Sequence, residues 1–261
     1  MTIEVFQKRR KNNLVFLILM FFLTFVTVKI TDFSFIKAFT SIPRAITWSF
    51  SNFYPDAEAM GRFWKIFDTL IDTILMAIAA TVLAALFSLF FAIFGSKSTR
   101  INIFFSFISR GAATISRNIP LAAWAMILLI SFGQSALTGL FALFFYSFGF
   151  LTRAFMESIE EMGEESLEAL RASGANYFHL IFNSVIPSCL PQIISWVLFM
   201  VETNIRSATL VGILTGTGIG FLFNLYYKSM NYSTASLIVI MIIVTVFLIE
   251  FLSNYVRRTI L

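Results

Sequence analysis

Between Thr69 and Phe94 the chain carries one charge, Asp72, in a run otherwise built from apolar and small residues. At about 1.5 Å per residue this run covers the ~30 Å hydrocarbon core of a bilayer. Inside hydrocarbon a backbone satisfies its own polar groups only as a helix or a closed barrel, so the run predicts a membrane-spanning helix. Further runs repeat the pattern: Leu14–Val28, Pro120–Phe132, Ala136–Leu151, Ser188–Val201 and Ala235–Leu252. With 58% hydrophobic and 13% charged residues, the expectation is an all-α integral membrane protein of about six transmembrane helices. Pro191 is expected to kink the entry to the fifth span. The stretch Glu202–Lys228 reads as too polar and too rich in glycine to span.

Lys8-Arg9-Arg10-Lys11 precedes the first apolar run, and no small-residue cleavage site follows it. An uncleaved first helix is expected rather than a signal peptide. Residues 33–68 contain the breakers Pro43, Asn52, Pro55 and Gly61 together with Trp48, Phe53, Tyr54, Phe63 and Trp64, which suit a membrane interface. They are read as an external loop with interfacial helices. The expected organisation is an N-terminal helix and loop over 1–68 and a transmembrane core over 69–261, with a polar segment at 153–187 inside the core.

The net charge of +5 lies in clusters beside the apolar runs, where it orients helices and meets anionic lipid rather than nucleic acid. Placing Lys8–Lys11, Lys97–Arg117, Arg153 with Arg171, and Arg257-Arg258 on the cytoplasmic side puts both termini there. Cys189 is alone, so it suggests an apolar core residue and no disulfide. His179 lacks partners at metal-ligand spacing, and no metal site is expected. Asp72, Glu202 and Glu250 are too scattered for an intramembrane enzyme's acid pair.

Residues 153–187 hold the acids Glu157, Glu160, Glu161, Glu164 and Glu165, then Glu168-Ala169-Leu170, Gly174 and Ser184-Val185-Ile186-Pro187. A polar helix, a glycine break and then Tyr177, Phe178, Ile181, Phe182 and Val185 on an apolar face have the layout of a docking element. The same face could instead fold back on the chain's own helices. Further on, Arg206 is costly in a membrane unless it meets a carboxylate or an anion, and Glu202 stands one turn earlier. Asn204, Ser207 and Thr209 would supply hydrogen bonds around an anion at that position. Gly212, Gly216 and Gly220 recur every fourth residue. With no Walker lysine and no βαβ frame, they point to close helix packing around a gate or dimer axis, not to a nucleotide loop.

Glu168-Ala169-Leu170, Gly174 and Ile186-Pro187 resemble the EAA loop of permease subunits in binding-protein-dependent ABC importers. Ser184 and Leu170 depart from that pattern, and Arg117-Asn118-Ile119-Pro120 is a weaker likeness. The segment Glu202–Gly212 followed by Gly218-Ile219-Gly220 is similar to phosphonate importer permeases. The resemblance covers the chain from about Thr69 to its end. It implies a type I ABC importer permease (MetI-like) fold and a coupling loop in which Glu168, Ala169, Gly174, Tyr177, Phe178, Ile186 and Pro187 engage an ATPase cleft. It also implies pathway or gate residues among Asn204, Arg206, Ser207, Thr209, Gly212, Gly216 and Gly220. The expected solute is phosphonate, phosphite or phosphate. No cofactor is expected in this chain, since ATP and Mg would be held by the partner ATPase. Expected partners are a second copy of the chain, two ABC ATPase subunits at the cytoplasmic face, an extracytoplasmic phosphonate-type binding protein and membrane lipid. A permease for another solute such as an amino acid, a membrane scaffold or receptor, and an intramembrane enzyme are the alternatives.

Overall fold

Small residues line the inward face of the second apolar run, and they set how closely its neighbours approach. In the computed structural model, which describes residues 2–161, 172 and 174–260, this run is helix α4, Phe63–Gly95. Its buried positions include Thr73, Ala77, Ala80, Ala84, Ser88, Ala92 and Gly95, spaced three or four apart. Leu75, Leu86, Phe87 and Phe90 point outward. That inversion suits a helix whose neighbours are held by van der Waals contact and hydrogen bonds while lipid solvates the bulky side.

The described residues are helical throughout the ordered elements. Before α4 come α1 (Thr2–Ile30), α2 (Phe35–Asn52) and α3 (Ala57–Gly61). After it come α5 (Ile103–Asn118), α6 (Leu121–Phe132), α7 (Ala136–Glu161) and α8 (Tyr177–Leu180). A π turn at Ile181–Val185 leads into α9 (Ile186–Thr215), α10 (Gly218–Lys228) and α11 (Tyr232–Ile260). The chain divides into two compact units, Met1–Phe53 and Tyr54–Leu261. In the first, α2 runs through Pro43 instead of breaking there and starts at Ser34, whose side chain accepts from the Lys37 N–H.

Among the described residues, five helices are long and apolar enough to cross a membrane, and six crossings result if the bent pair α5–α6 counts as one. The bend of 96° falls at Ile119-Pro120. Ile119 is extended (φ −88°, ψ 119°), as a residue before proline must be to clear its ring. The indole of Trp124 donates to the Ser116 carbonyl at 3.2 Å, meeting one acceptor that the break frees. Alpha5 repeats the inverted pattern, with Ser106, Ser109, Ala113 and Ser116 inward and Phe104, Phe105 and Phe107 outward.

Helix α7 packs against α4, α5, α6 and α9 and so forms the hub of the second unit. Gly149 makes the approach of α5 possible, because a Cβ there would collide with the backbone of Ser116 and Arg117 in α5. Three hydroxyls on one face of α4 each tie a different neighbour. Thr73 accepts from the Ile219 N–H at the start of α10 (2.9 Å). Thr81 accepts from the Asn204 amide in α9 (2.8 Å). Ser88 donates to the Phe148 carbonyl in α7 (3.2 Å) and accepts from Thr152 (3.1 Å).

The span expected at Ser188–Val201 is much longer than its sequence signal. The apolar helical stretch runs Tyr177–Thr215, 39 residues, and takes in Glu202–Thr215, which sequence reading excluded. The reason is that its polar groups are paired inside the bundle. Glu202 meets Arg206, Thr203 donates to the Phe199 carbonyl, and Asn204 meets α4 and α7. Helix α10 then turns back on α9 through Gly216, which holds φ +70° and ψ 32° at the helix end.

Outside the spans, Asp56 caps α3 by accepting from the Ala59 N–H at 2.8 Å. That bond, with a smaller contribution from Ser233, holds the Asp56 carboxyl below its ordinary value. The cap therefore contributes above the usual carboxylate range and is lost as pH falls through the lowered value.

Candidate functional site

Two regions of the long Tyr177–Thr215 helix carry the features that could act: its start and its charged middle. Of the expected coupling residues, Glu168 and Ala169 lie outside the described residues, as do Glu164, Glu165, Leu170 and Arg171. Gly174 is described and has φ +81°. A Cβ there would meet nothing within 4 Å, so the glycine serves the turn and not a close contact.

Asn176 follows and caps α8 by accepting from the Tyr177 N–H at 2.7 Å. The structure then divides the expected apolar face. Ile181 and Val185 are buried against Phe155, Met156 and Ile159 of α7, and Tyr177 and Ile186 pack beside them. Phe178 and Phe182, 67% and 62% exposed and one turn apart, face away. Pro187 is also exposed. Tyr177, Ile181 and Val185 thus fold back on the chain's own helices, while Phe178 and Phe182 stay exposed.

Tyr177 links this start to the rest of the bundle. Its hydroxyl donates to the Thr99 carbonyl (3.0 Å) in the turn between α4 and α5. The same turn is clamped by Glu160 at the end of α7, which accepts from the Lys97 N–H (2.8 Å) and from Arg110 (2.6 Å). Arg110 in turn donates through Nε to the Gly95 carbonyl at 2.8 Å. Force applied at Phe178 and Phe182 would reach α4, α5 and α7 through this knot. Tyr177→Phe keeps the ring packing and removes one hydrogen bond worth about 1 kcal/mol. The expected result is a folded protein in detergent with a Tm lowered by about 2–4 °C. An unchanged Tm would remove Tyr177 from the linkage.

Gly174→Ala isolates the turn, because only backbone strain of about 1 kcal/mol is added. The Tm of the purified variant in detergent should fall by about 2–4 °C, and a wild-type Tm would show that the turn relaxes without strain.

In the middle of α9, Glu202 is buried, with 10% of its side chain exposed, between two arginines. Arg206 reaches one carboxylate oxygen at 2.8 Å, and Arg257 from α11 stands 3.6 Å from the other. Sequence reading assigned Arg257 to the basic cluster that orients the chain and missed this contact. A guanidinium reaches back several ångströms from its own helix end, and no spacing in the sequence places α11 beside α9.

Asn204 is not next to Arg206 in space. It is fully buried on another face, donating to Thr81 (2.8 Å) and Ser147 (2.6 Å), and its Oδ1 has no hydrogen-bond partner. Ser207 and Thr209 are half-buried. Gly212 and Gly220 face each other across the α9–α10 turn, where a Cβ on Gly220 would strike the Thr209 carbonyl and one on Gly212 the Thr217 carbonyl. The glycine series packs helices within this chain, and Gly216 forms the turn, its absent Cβ leaving room for the Gln134 side chain. Among the described residues, no three His, Cys, Asp or Glu side chains come together as a metal site.

Comparison with known proteins agrees with this architecture. One chain of the inward-facing MetNI methionine ABC transporter superposes with a TM-score of 0.68 at 17% identity, covering 79% of this chain and 99% of its own length. That likeness gives the fold, a type I ABC importer permease fold. The phosphate-import permease protein PhnE of Mycolicibacterium smegmatis is 30% identical over 57% of this chain and 28% of its own. The phosphite transport system permease protein PtxC of Stutzerimonas stutzeri is 31% identical over 58% of this chain and 55% of its own. The matched stretch therefore spans less than two thirds of either relative. Residues 86–260 match the binding-protein-dependent transport system inner membrane component family. That match takes in α5 to α11 and both regions of the long helix, so the chain belongs to this family of multi-pass inner membrane permeases.

Proposed function

We propose that this chain is the permease subunit of an ABC importer that carries phosphonate, or the related phosphite or phosphate, across the cytoplasmic membrane. The observation that carries the reading is the single helix Tyr177–Thr215, whose start presents Phe178 and Phe182 outward and whose middle holds Glu202 between Arg206 and Arg257. An exposed apolar start and a charged middle on one continuous helical stretch suit a subunit that converts closure of a partner into movement of an anion. The names of the matched relatives supply the substrate class.

In this reading two copies related by a two-fold axis form the pathway at their interface. Two ABC ATPase subunits sit at the cytoplasmic face and hold ATP and Mg, while an extracytoplasmic binding protein delivers the solute. Residues 153–187 form the coupling loop, with Glu168 and Ala169 part of its contact. Both termini are cytoplasmic, residues 1–68 form an added helix and external segment, and 69–261 form the transport core. Arg206 is the pathway residue; Asn204, Gly212, Gly216 and Gly220 support it by holding α9 and α10 in place.

Reconstitution with the partner ATPase and binding protein tests the reading. Uptake of methylphosphonate, phosphite or phosphate should require both ATP and the binding protein. Uptake of an amino acid with none of the three would overturn the substrate class, and absence of any ATP-dependent uptake would overturn the transport role.

A further inference from the structure

We propose that Arg257 joins Arg206 in one station for a tetrahedral phosphorus oxyanion, with Glu202 as the resident carboxylate that the passing anion displaces. This rests on the transport reading and deepens it. Among the described residues the cluster holds two guanidinium groups and one carboxylate, so it keeps a net positive charge at a partly buried place. Each oxygen of Glu202 faces a different arginine, at 2.8 Å for Arg206 and 3.6 Å for Arg257. The longer distance is a charge contact and not a hydrogen bond. Nε and Nη2 of Arg257 are accordingly buried from solvent and donate to no acceptor.

Buried donors without acceptors are costly, and a guanidinium presents its donors as a planar fork suited to two oxygens of one tetrahedral anion. Arg206 is on the open side, with 48% of its side chain exposed against 26% for Arg257. An anion could therefore reach Arg206 first and then complete its contacts at Arg257. Glu202 gives the station a way to let go. Its carboxylate competes for both arginines, so the anion is held less tightly than two free guanidinium groups would hold it. A step in a pathway needs that weakness, since an anion bound too well would not leave.

The same chemistry could come from a phospholipid headgroup, and the test separates the two sources. In the assembled permease–ATPase complex, held in detergent free of phospholipid, methylphosphonate or inorganic phosphate should raise the Tm above that in sodium chloride of equal ionic strength. Arg257→Gln and Arg206→Gln should each abolish that rise. Stabilisation by phosphatidylglycerol alone, with no response to either free anion, would overturn the proposal in favour of a lipid site. A response in Arg257→Gln equal to wild type would also overturn it.

Uptake in vesicles supplies the second arm. Arg257→Gln should raise KM by about ten-fold or more, as expected for losing a charge-assisted fork. Glu202→Gln should lower KM and kcat together, because the anion is then held without its competitor, an effect that a merely structural ion pair would not produce. Recovery of wild-type uptake in the double variant Glu202→Gln, Arg257→Gln would show that the arginine only balances the carboxylate. Should Arg257→Gln fail to assemble, Arg257→Lys retains the charge without the fork, and an unchanged KM there would refute the proposal. If the complex binds the anion but wild type imports no phosphorus oxyanion, the transport reading fails and the station stands. If wild type imports one and Arg257→Gln does so equally well, the station fails and the transport reading stands.

Discussion

Gly220→Ala is expected to abolish recovery of folded, monodisperse permease, while the same change at Gly111 leaves it unaltered. The added methyl on Gly220 would lie against the Thr209 carbonyl oxygen, 2.8 Å from the Ile213 nitrogen and 2.9 Å from the Thr209 carbonyl carbon. All three are backbone atoms of α9, so no side chain can swing aside. Relief requires α10 to lift away. Lifting it would pull Ile219, 1% exposed among Ile66, Leu70 and Ile238, out of its cluster and break the 2.9 Å hydrogen bond from the Ile219 N–H to Thr73. Overpacking of this kind costs about 3 kcal/mol or more when backbone must move. Gly111 sits within α5 and a Cβ there meets nothing within 4 Å, so alanine adds only helix propensity, about 0.5–1 kcal/mol in favour. Size-exclusion profiles and thermal scans of the two variants in detergent check the contrast. A Gly220→Ala protein with the wild-type Tm would mean that the α9–α10 hairpin is not packed through its glycines.

The glycine pair also shows what a sequence can and cannot announce. A four-residue recurrence of glycine is visible in the chain, and so is the inference that helices approach there. Which helices approach is not visible, and in this structure Gly212 and Gly220 meet across the α9–α10 hairpin of one chain. The spans behave similarly. Alpha4 was legible because the run Thr69–Phe94, with one charge in it, has no other solution, and Pro120 was legible as a helix start but not the 96° bend that joins α5 to α6 there. The helical character of Glu202–Thr215 was not. Glutamate, threonine and asparagine in succession have the composition of a loop; Glu202 is met by Arg206 and Arg257, Thr203 by its own helix, and Asn204 by α4 and α7, and the contacts from other helices leave no mark in the sequence.

The docking segment divides along the same line. Period 3.6 places Tyr177, Ile181 and Val185 on one stripe and Phe178 with Phe182 on its flank, all apolar and alike in sequence. The structure separates them because α7 supplies Phe155, Met156 and Ile159 to cover the first stripe and nothing within the described residues covers the second. Arg257 gave no signal beyond its charge, since a basic residue near the end of a last span is the ordinary mark of orientation.

Asn204 gives the sharpest contrast between two substitutions of similar volume. Its amide donates to the hydroxyls of Thr81 and Ser147, and each hydroxyl already spends its proton on its own helix, Thr81 on the Ala77 carbonyl (2.7 Å) and Ser147 on the Leu143 carbonyl (2.6 Å). The asparagine is therefore the donor to both contacts. Asn204→Asp would set carboxylate oxygens against two oxygens whose protons are committed, at a fully buried position. That burial should cost several kcal/mol and prevent assembly. Asn204→Leu removes the donor and the unpartnered Oδ1 together, and it leaves both hydroxyls satisfied by their carbonyls. Its cost should be about 1 kcal/mol or less, in line with the modest worth of single hydrogen bonds between membrane helices. Because Asn204 lies between α4 and α7, away from Arg206, the leucine variant should also import solute with a wild-type KM. A large rise in KM at nearly unchanged Tm would instead place Asn204 on the pathway, with α4 and α9 parting during transport to expose it.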